Sequence, residues 1–245
     1  MQTTNNTILI TGGSSGIGLA LVKKFYGLDN KIIITARNIH KLNEVKEKYP
    51  AVEIFQCDLT KPDDLDACIA FIKQKYPTIN VLINNAGVQY NYNFKSEPDL
   101  TQKIDYEITT NFTSTVKLCA MLLPVMIKNE NPAIVTISSG LALSPKKSAP
   151  VYCATKAAIH NFTKAFRYQM EETPLKVFEI MPPLVDTAMT EGRGTGKISP
   201  EALVEEFFKN FKNDKFESYI GKTKLLRFLK RLAPNFADGL LKNGL

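Results

Sequence analysis

The chain of 245 residues has no tryptophan, two histidines (His40 and His160) and four cysteines (Cys57, Cys68, Cys119 and Cys153). The cysteines show neither C-x-x-C nor any other ligand spacing, and with so few histidines a zinc site is not expected. A disulfide framework is not expected either, and the scattered thiols suit the reducing cytosol. No apolar run is long enough to span a bilayer, and the opening MQTTNNTILI lacks the basic region of a signal peptide. A cytoplasmic protein is therefore expected. The chain also lacks internal repeats and low-complexity segments.

Excess charge is scarce outside one stretch. The formal net charge is +7, and KTKLLRFLKR at 222–231 holds Lys222, Lys224, Arg227, Lys230 and Arg231 with no acid, so the body is nearly neutral. On a helical wheel Leu225, Leu226, Phe228, Leu229 and Leu232 form one broad face opposite Lys224, Arg227, Lys230 and Arg231, and Pro234 closes the segment. Such a helix at 222–233 can lie on an anionic membrane or dock on its own body or a neighbouring subunit. The stripe is short and without tryptophan, which favours docking over membrane association. No aromatic platform interleaves the cations, so a nucleic-acid partner is not expected.

What is present is a rhythm of short apolar runs and longer amphipathic ones. TILIT (7–11), KIIIT (31–35), VEIFQC (52–57), INVLIN (79–84), AIVTIS (133–138) and KVFEIM (176–181) are apolar on both faces, as strands covered by helices on each side must be. Helical stretches fall between them at about 16–27, 39–48, 62–76, 100–129 and 151–172. Segments 199–212 and 224–233 follow as helices, with FESYIG (216–221) as a last strand. Alternating strands and helices predict an α/β fold: a Rossmann-type, doubly wound parallel sheet flanked by helices. The expected organisation is one domain over 1–221, with a substrate lid at about 188–212, and a basic helical extension over 222–245.

Two motifs carry chemistry. The first strand runs into TGGSSGIG at 11–18, where Gly12 makes the turn, Gly16 admits a pyrophosphate close to the backbone and Gly18 lets helix and strand pack. Ser14, Ser15 and Ile17 complete a loop whose helix N-terminus offers free N–H groups to phosphates. The second strand ends ITARN: the acid that would hold the ribose hydroxyls of NAD is missing, and Arg37 stands in its place. A guanidinium fork suits a 2′-phosphate, so NADP(H) is expected rather than NAD(H), with a solvated loop arginine as the alternative. The second motif is VYCATK at 151–156. A Tyr-x-x-x-Lys pair arises by chance about once in such a composition, so its neighbours decide. On a helix Tyr152 and Lys156 sit about 40° apart and one turn along. A cation there favours the phenolate and readies the phenol for proton transfer.

The spacing Thr-Gly-x-x-x-Gly-x-Gly, then NNAG (84–87), Asn111 in ITTNFTS, ISSG (137–140) and YCATK resemble, in order and interval, the short-chain dehydrogenase/reductase family over about residues 5–190. The double-proline segment MPPLVDTAMT is most similar to the bacterial DltE-like subgroup. The resemblance implies hydride transfer between a nicotinamide cofactor and a small-molecule carbonyl or alcohol, with Asn111, Ser139, Tyr152 and Lys156 catalytic. Ser139 is then the residue that bonds the substrate oxygen, and Ser138, its neighbour on a strand, points the other way. For Asn111 two roles stand open, holding a water that serves the lysine or satisfying a broken helix turn. Asn85, Ala86 and Gly87 are implied at the cofactor ribose, Asp58 and Leu59 at the adenine, and Pro182, Val185 and Thr187 at the nicotinamide. Asp58 as a helix N-cap is an equal alternative.

The family has Pro-Gly after the sixth strand; this chain has Pro182-Pro183. Val88, Leu141, Leu143, Val151, Met181 and Met189 are expected pocket walls, pointing to an apolar or mixed substrate. Arg193 and the glycines of TEGRGTGK are expected on a mobile lid. Apolar surface on 100–129 and 151–172 predicts a homodimer or a tetramer of such dimers. Two competing classes are a non-catalytic dinucleotide sensor, which would not need Ser139, Tyr152 and Lys156 together, and a sugar epimerase, for whose extra domain no length remains.

Overall fold

The computed structural model describes residues 1–244. Among them the strands are β1 (Thr7–Thr11), β2 (Lys31–Ala36), β3 (Glu53–Gln56), β4 (Val81–Asn84), β5 (Ala133–Ile137), β6 (Lys176–Met181) and β7 (Glu217–Tyr219). They form one parallel sheet in the order β3-β2-β1-β4-β5-β6-β7, with registers such as Leu9 beside Ile33 and Leu82. The order reverses between β1 and β4, and a ligand crevice opens there at the carboxyl ends of the strands. The expected α/β class and Rossmann-type sheet are what the chain adopts.

Side chains alternate through the sheet into two apolar layers. Ile8, Ile10, Ile34, Ile83 and Phe178 face α1 (Gly16–Tyr26), α2 (Ile39–Lys48) and α7 (Pro200–Lys212). Leu9, Ile33, Leu82, Ile134 and Val177 face α3 (Pro62–Lys75), α5 (Ser114–Met126) and α6 (Pro150–Gln169). Both faces of every central strand are therefore dry, which is why these strands read as unbroken apolar runs.

Four local departures from expectation have physical causes. The helix expected over 100–129 is α4 (Leu100–Ile108) and α5 joined by a π turn at Thr109–Thr113, which bulges the backbone at Asn111. The expected lid at 188–212 divides. Residues 188–198 form a loop, whereas α7 buries Leu203, Val204, Phe207, Phe208 and Phe211 against the sheet and is core. Pro234 ends one helix, α8 (Thr223–Leu232), and opens another, α9 (Pro234–Leu241), because proline is accommodated in a first helical turn. Lastly, the broad apolar face of α8 is split: Leu226 is buried against Ala237 and Leu241, with Leu141, Leu143 and Leu229 beside it. Leu225, Phe228 and Leu232 stay 60%, 59% and 65% exposed. No helix of the described residues is long and apolar enough to cross a membrane.

Candidate active site

The glycine turn after β1 is held by its neighbours. Gly12 and Gly16 have φ of +63° and +52°, which favours glycine at both. A Cβ on Gly18 would lie 2.2 Å from the Gly12 carbonyl oxygen, so only glycine lets α1 seat on the turn. Asn85 donates from its amide to the carbonyls of Thr11 (2.9 Å) and Gly12 (3.1 Å), while the N–H groups of Asn85 and Ala86 donate to the Thr11 hydroxyl. Asn85, expected at the cofactor, turns its side-chain amide into the fold and braces the turn.

A groove of about 600 Å3 runs along the strand ends, lined by Gly12, Ser14, Ser15, Arg37, Asp58, Leu59, Ala86 and Gly87 among others. Three hydroxyls on its wall, those of Thr35, Tyr106 and Thr110, are buried without a hydrogen-bond partner. Ser15 caps α1 without a side-chain bond and the first turn has no acid, so the N–H groups there are free for a phosphate. Arg37 lies over the Tyr106 ring at 5.3 Å, with Asn38, His40 and Lys41 beside it in the groove. Asp58 is not the N-cap of α3: its carboxylate accepts from the Thr60 N–H and hydroxyl, and Lys61 precedes the helix. This donor-rich, glycine-floored cradle fits a dinucleotide.

A second cavity, of about 550 Å3, lies near it, with Gln89, next in the chain to Val88 of the groove, and Ile17, two residues past Ser15, on its wall. Ser139, Tyr152, Pro182, Val185 and Thr187 line it, as do Leu141 and Met189. The other expected walls do not: Val88 belongs to the dinucleotide groove and Leu143 packs under α8, while Val151 and Met181 reach neither cavity. Tyr152 enters on the first turn of α6 and lines this cavity together with Ser139, whose hydroxyl accepts from the Leu141 N–H at 3.1 Å. Ser138 points away and bonds the buried Glu179, so the alternation expected of a strand end separates the two serines. Burial pushes the Tyr152 phenol up to about 12, against the nearby Ser139 hydroxyl, which favours the phenolate.

Lys156 is buried behind the tyrosine, its Nζ 5.7 Å from the ring centre and donating to the Ile137 carbonyl at 2.7 Å. Burial lowers its pKa to about 8, opposed by the Glu179 charge. Desolvation is the largest influence on the phenol, and the Lys156 ammonium touches the Ile137 carbonyl behind it. Asn111 sits in the π turn beside both. Its amide exchanges bonds with Val88 (2.8 and 2.9 Å) and reaches the Thr155 hydroxyl, so it ties the loop after β4 to α6 and satisfies no helical group. A Cβ on Gly87 would meet Asn111 Oδ1 at 3.3 Å and Lys156 Nζ at 3.7 Å, which places all three at one point of the wall.

Two buried acids had no sign in the motifs. Glu107 accepts from the Tyr90 N–H and the Tyr92 hydroxyl, and burial raises its pKa. Glu179 takes Ser138 on one side and His160 Nδ1 at 2.9 Å on the other, and that bond raises the histidine's pKa. His160 is thus the partner of a buried carboxylate.

A sequence profile described as short chain dehydrogenase matches residues 6–197. The chain belongs to the short-chain dehydrogenase family. It is 40% identical over 223 residues to the uncharacterized oxidoreductase DltE of Bacillus subtilis, covering 89% of this chain and 88% of that one. A short-chain dehydrogenase from Burkholderia cenocepacia in complex with NADP superimposes with a TM-score of 0.87 at 21% identity, over 98% of this chain and 99% of that one. One from Sphingobium yanoikuyae in complex with NADPH gives 0.79 at 25% identity, over 96% and 95%. As a short-chain dehydrogenase the chain is an NAD(P)-dependent oxidoreductase, in line with the resemblance seen in its motifs.

Proposed function

We propose that the protein interconverts a carbonyl compound and an alcohol with NADP(H), Tyr152 serving as the proton donor and acceptor. The observation that carries this is that Ser139 and Tyr152 stand together on the wall of one apolar cavity, near a dinucleotide-shaped groove. When bound, the nicotinamide dinucleotide supplies or accepts the hydride. Gly12, Ser14, Ser15, Ala86 and Gly87 would hold it along the groove, with Ile17, Val185 and Thr187 of the second cavity toward the nicotinamide.

The residues of the chain do the rest. The Ser139 hydroxyl donates to the substrate oxygen, where negative charge develops as the carbonyl is reduced. Tyr152 gives that oxygen its proton; in the opposite direction it removes the proton from the alcohol. With its pKa at about 12, Tyr152 is protonated at neutral pH, the form that reduction needs. Lys156 brings the nearby positive charge that favours the phenolate in oxidation. Asn111 fixes the π turn and the Val88 loop around that lysine. The choice of NADP(H) is supported by Arg37, His40 and Lys41 at the end of the groove where an NAD-preferring site wants an acid.

The test is Tyr152→Phe, which removes only the transferable proton. In a screen of NADPH oxidation against a panel of ketones and aldehydes, the variant is expected to bind NADPH as the wild type does and to lose about 1000-fold or more in kcat. Near-wild-type turnover would refute the mechanism.

A further inference from the structure

The substrate cavity is walled mainly by apolar side chains, yet Lys146, Arg193 and Lys222 all lie on it, and no aspartate or glutamate is among the described residues that line it. Elsewhere Lys23, Lys24, Lys176, Lys224 and Lys230 each hold a carboxylate within 3.0 Å. Arg193 holds none among the described residues, and its Nη1, shielded from solvent, has no hydrogen-bond partner. A guanidinium nitrogen removed from water and left unpaired is costly, and such groups are ordinarily matched. Lys146 is half-buried; burial lowers its pKa, and the neighbouring Arg193 charge lowers it further. The ammonium of Lys222 lies against the loop, 2.9 Å from where a Cβ of Gly196 would stand. Like charges converging on a partly dry wall repel unless an anion sits between them. Arg193 is also close enough to the phenol of Tyr152 for its charge to act there, so the cations and the reacting hydroxyl share one chamber.

We propose that the substrate is an amphiphile whose carboxylate or phosphate is held by Arg193 and Lys146, with Lys222 on the outer side, while its apolar body lies along Leu141, Leu226, Leu229 and Leu241. The assignment of this molecule as substrate rests on the oxidoreductase function proposed above; its binding does not. Arg193 offers a planar fork matched to two oxygens of an oxyanion, and Lys146 adds a point charge. The lid loop that carries Arg193 is fixed at its base by the parallel bridge between Val185 and Ile198 and by Lys197 donating to the Thr190 carbonyl. Three glycines with positive φ, Gly192, Gly194 and Gly196, surround the arginine and let the backbone fold it inward.

The test is calorimetric titration of the full chain with three probes of equal chain length, octanoate, octyl phosphate and 1-octanol. At least one anion is expected to bind about tenfold or more tightly than octanol. Arg193→Ala is expected to remove most of that margin and Arg193→Ala/Lys146→Ala all of it, with octanol affinity unchanged within about twofold. Lys147→Ala, an exposed neighbour outside the cavity, keeps the margin. The tighter of the two anions identifies which headgroup the site takes. Equal affinity for octanol and both anions, or an anion margin that survives in the double variant, would overturn the inference. Since the readout is binding alone, failure of every carbonyl to oxidise NADPH would sink the proposed reaction and leave this site standing, and the reverse holds as well.

Discussion

At the scale of single residues, function here depends on where charges stand relative to water. Arg37 is exposed and lies over the Tyr106 ring, without an acid partner among the described residues. A 2′-phosphate would give it one. Arg37→Ala is therefore expected to weaken NADPH about tenfold or more and to leave NADH within about twofold, read as the ratio of kcat/KM for the two cofactors. An unchanged ratio would show the arginine to be a solvated loop residue. The His160 and Glu179 pair makes a different kind of prediction. The bond to Glu179 raises the His160 pKa above its ordinary value of 6.5. A raised folded pKa contributes stability that is fully present below the unfolded value and is lost as pH rises through the folded one. The melting temperature of the wild type should exceed that of His160→Gln most at about pH 6 and less as pH climbs past the histidine's raised pKa. A gap that is the same at every pH would remove the ion pair as its cause. Glu179 itself was legible in principle, because an acid inside the apolar run KVFEIM, in a strand covered on both faces, must have a partner. Nothing in the chain order says that the partner is His160, because the two meet only when α6 packs on β6.

Among elements, those with a strict period were readable and those shaped by their neighbours were not. β1, β2, β4, β5 and β6 show in the sequence because each is apolar on both faces. The π turn leaves no such trace: 100–126 keeps helical amphipathicity throughout, and the bulge shows only in where the Asn111 amide goes. The division of the α8 face was equally hidden, since a helical wheel cannot say that α9 covers Leu226 and leaves Leu225 out. That division gives a test. Leu226→Ala should cost about 2–4 kcal/mol in chemical denaturation, whereas Leu225→Ser and Phe228→Ser should stay within about 0.5 kcal/mol. Deleting 222–245 is expected to lower the melting temperature and to open the substrate cavity, because Thr223 bonds the Met181 carbonyl and the leucines of this hairpin form one of its walls. If the truncated chain keeps its melting temperature and oligomeric size but loses binding to anionic liposomes, the helix belongs on a membrane instead.

For the whole molecule, the sheet accounts for one side of α5 and α6 and leaves the other to be explained. Leu118, Leu122 and Met126 of α5 and Ile159 and Phe166 of α6 are buried in the body. On their outer sides α5 exposes Ala120 and Pro124, α6 exposes Ala154 and Ala165, and Phe112 and Phe162 meet edge to face at 6.4 Å, half-buried. Tyr168, at the far end of α6, is 56% exposed. Small side chains beside aromatic ones make a flat face on which two helices of one protomer can pack against the same two of another, and a twofold axis lets each such face serve as its own complement. Lys117 and Lys164 are the cations on these outer sides, so a self-contact meets little repulsion that salt would not screen. A homodimer, or a tetramer built from such dimers, is expected in sedimentation at micromolar concentration. Ala120→Arg adds a long charged side chain to an exposed position, which leaves the protomer's own core intact and should shift the sedimenting species toward the 27.4 kDa monomer. A wild-type chain that is already a monomer at that concentration would assign these outer faces to solvent.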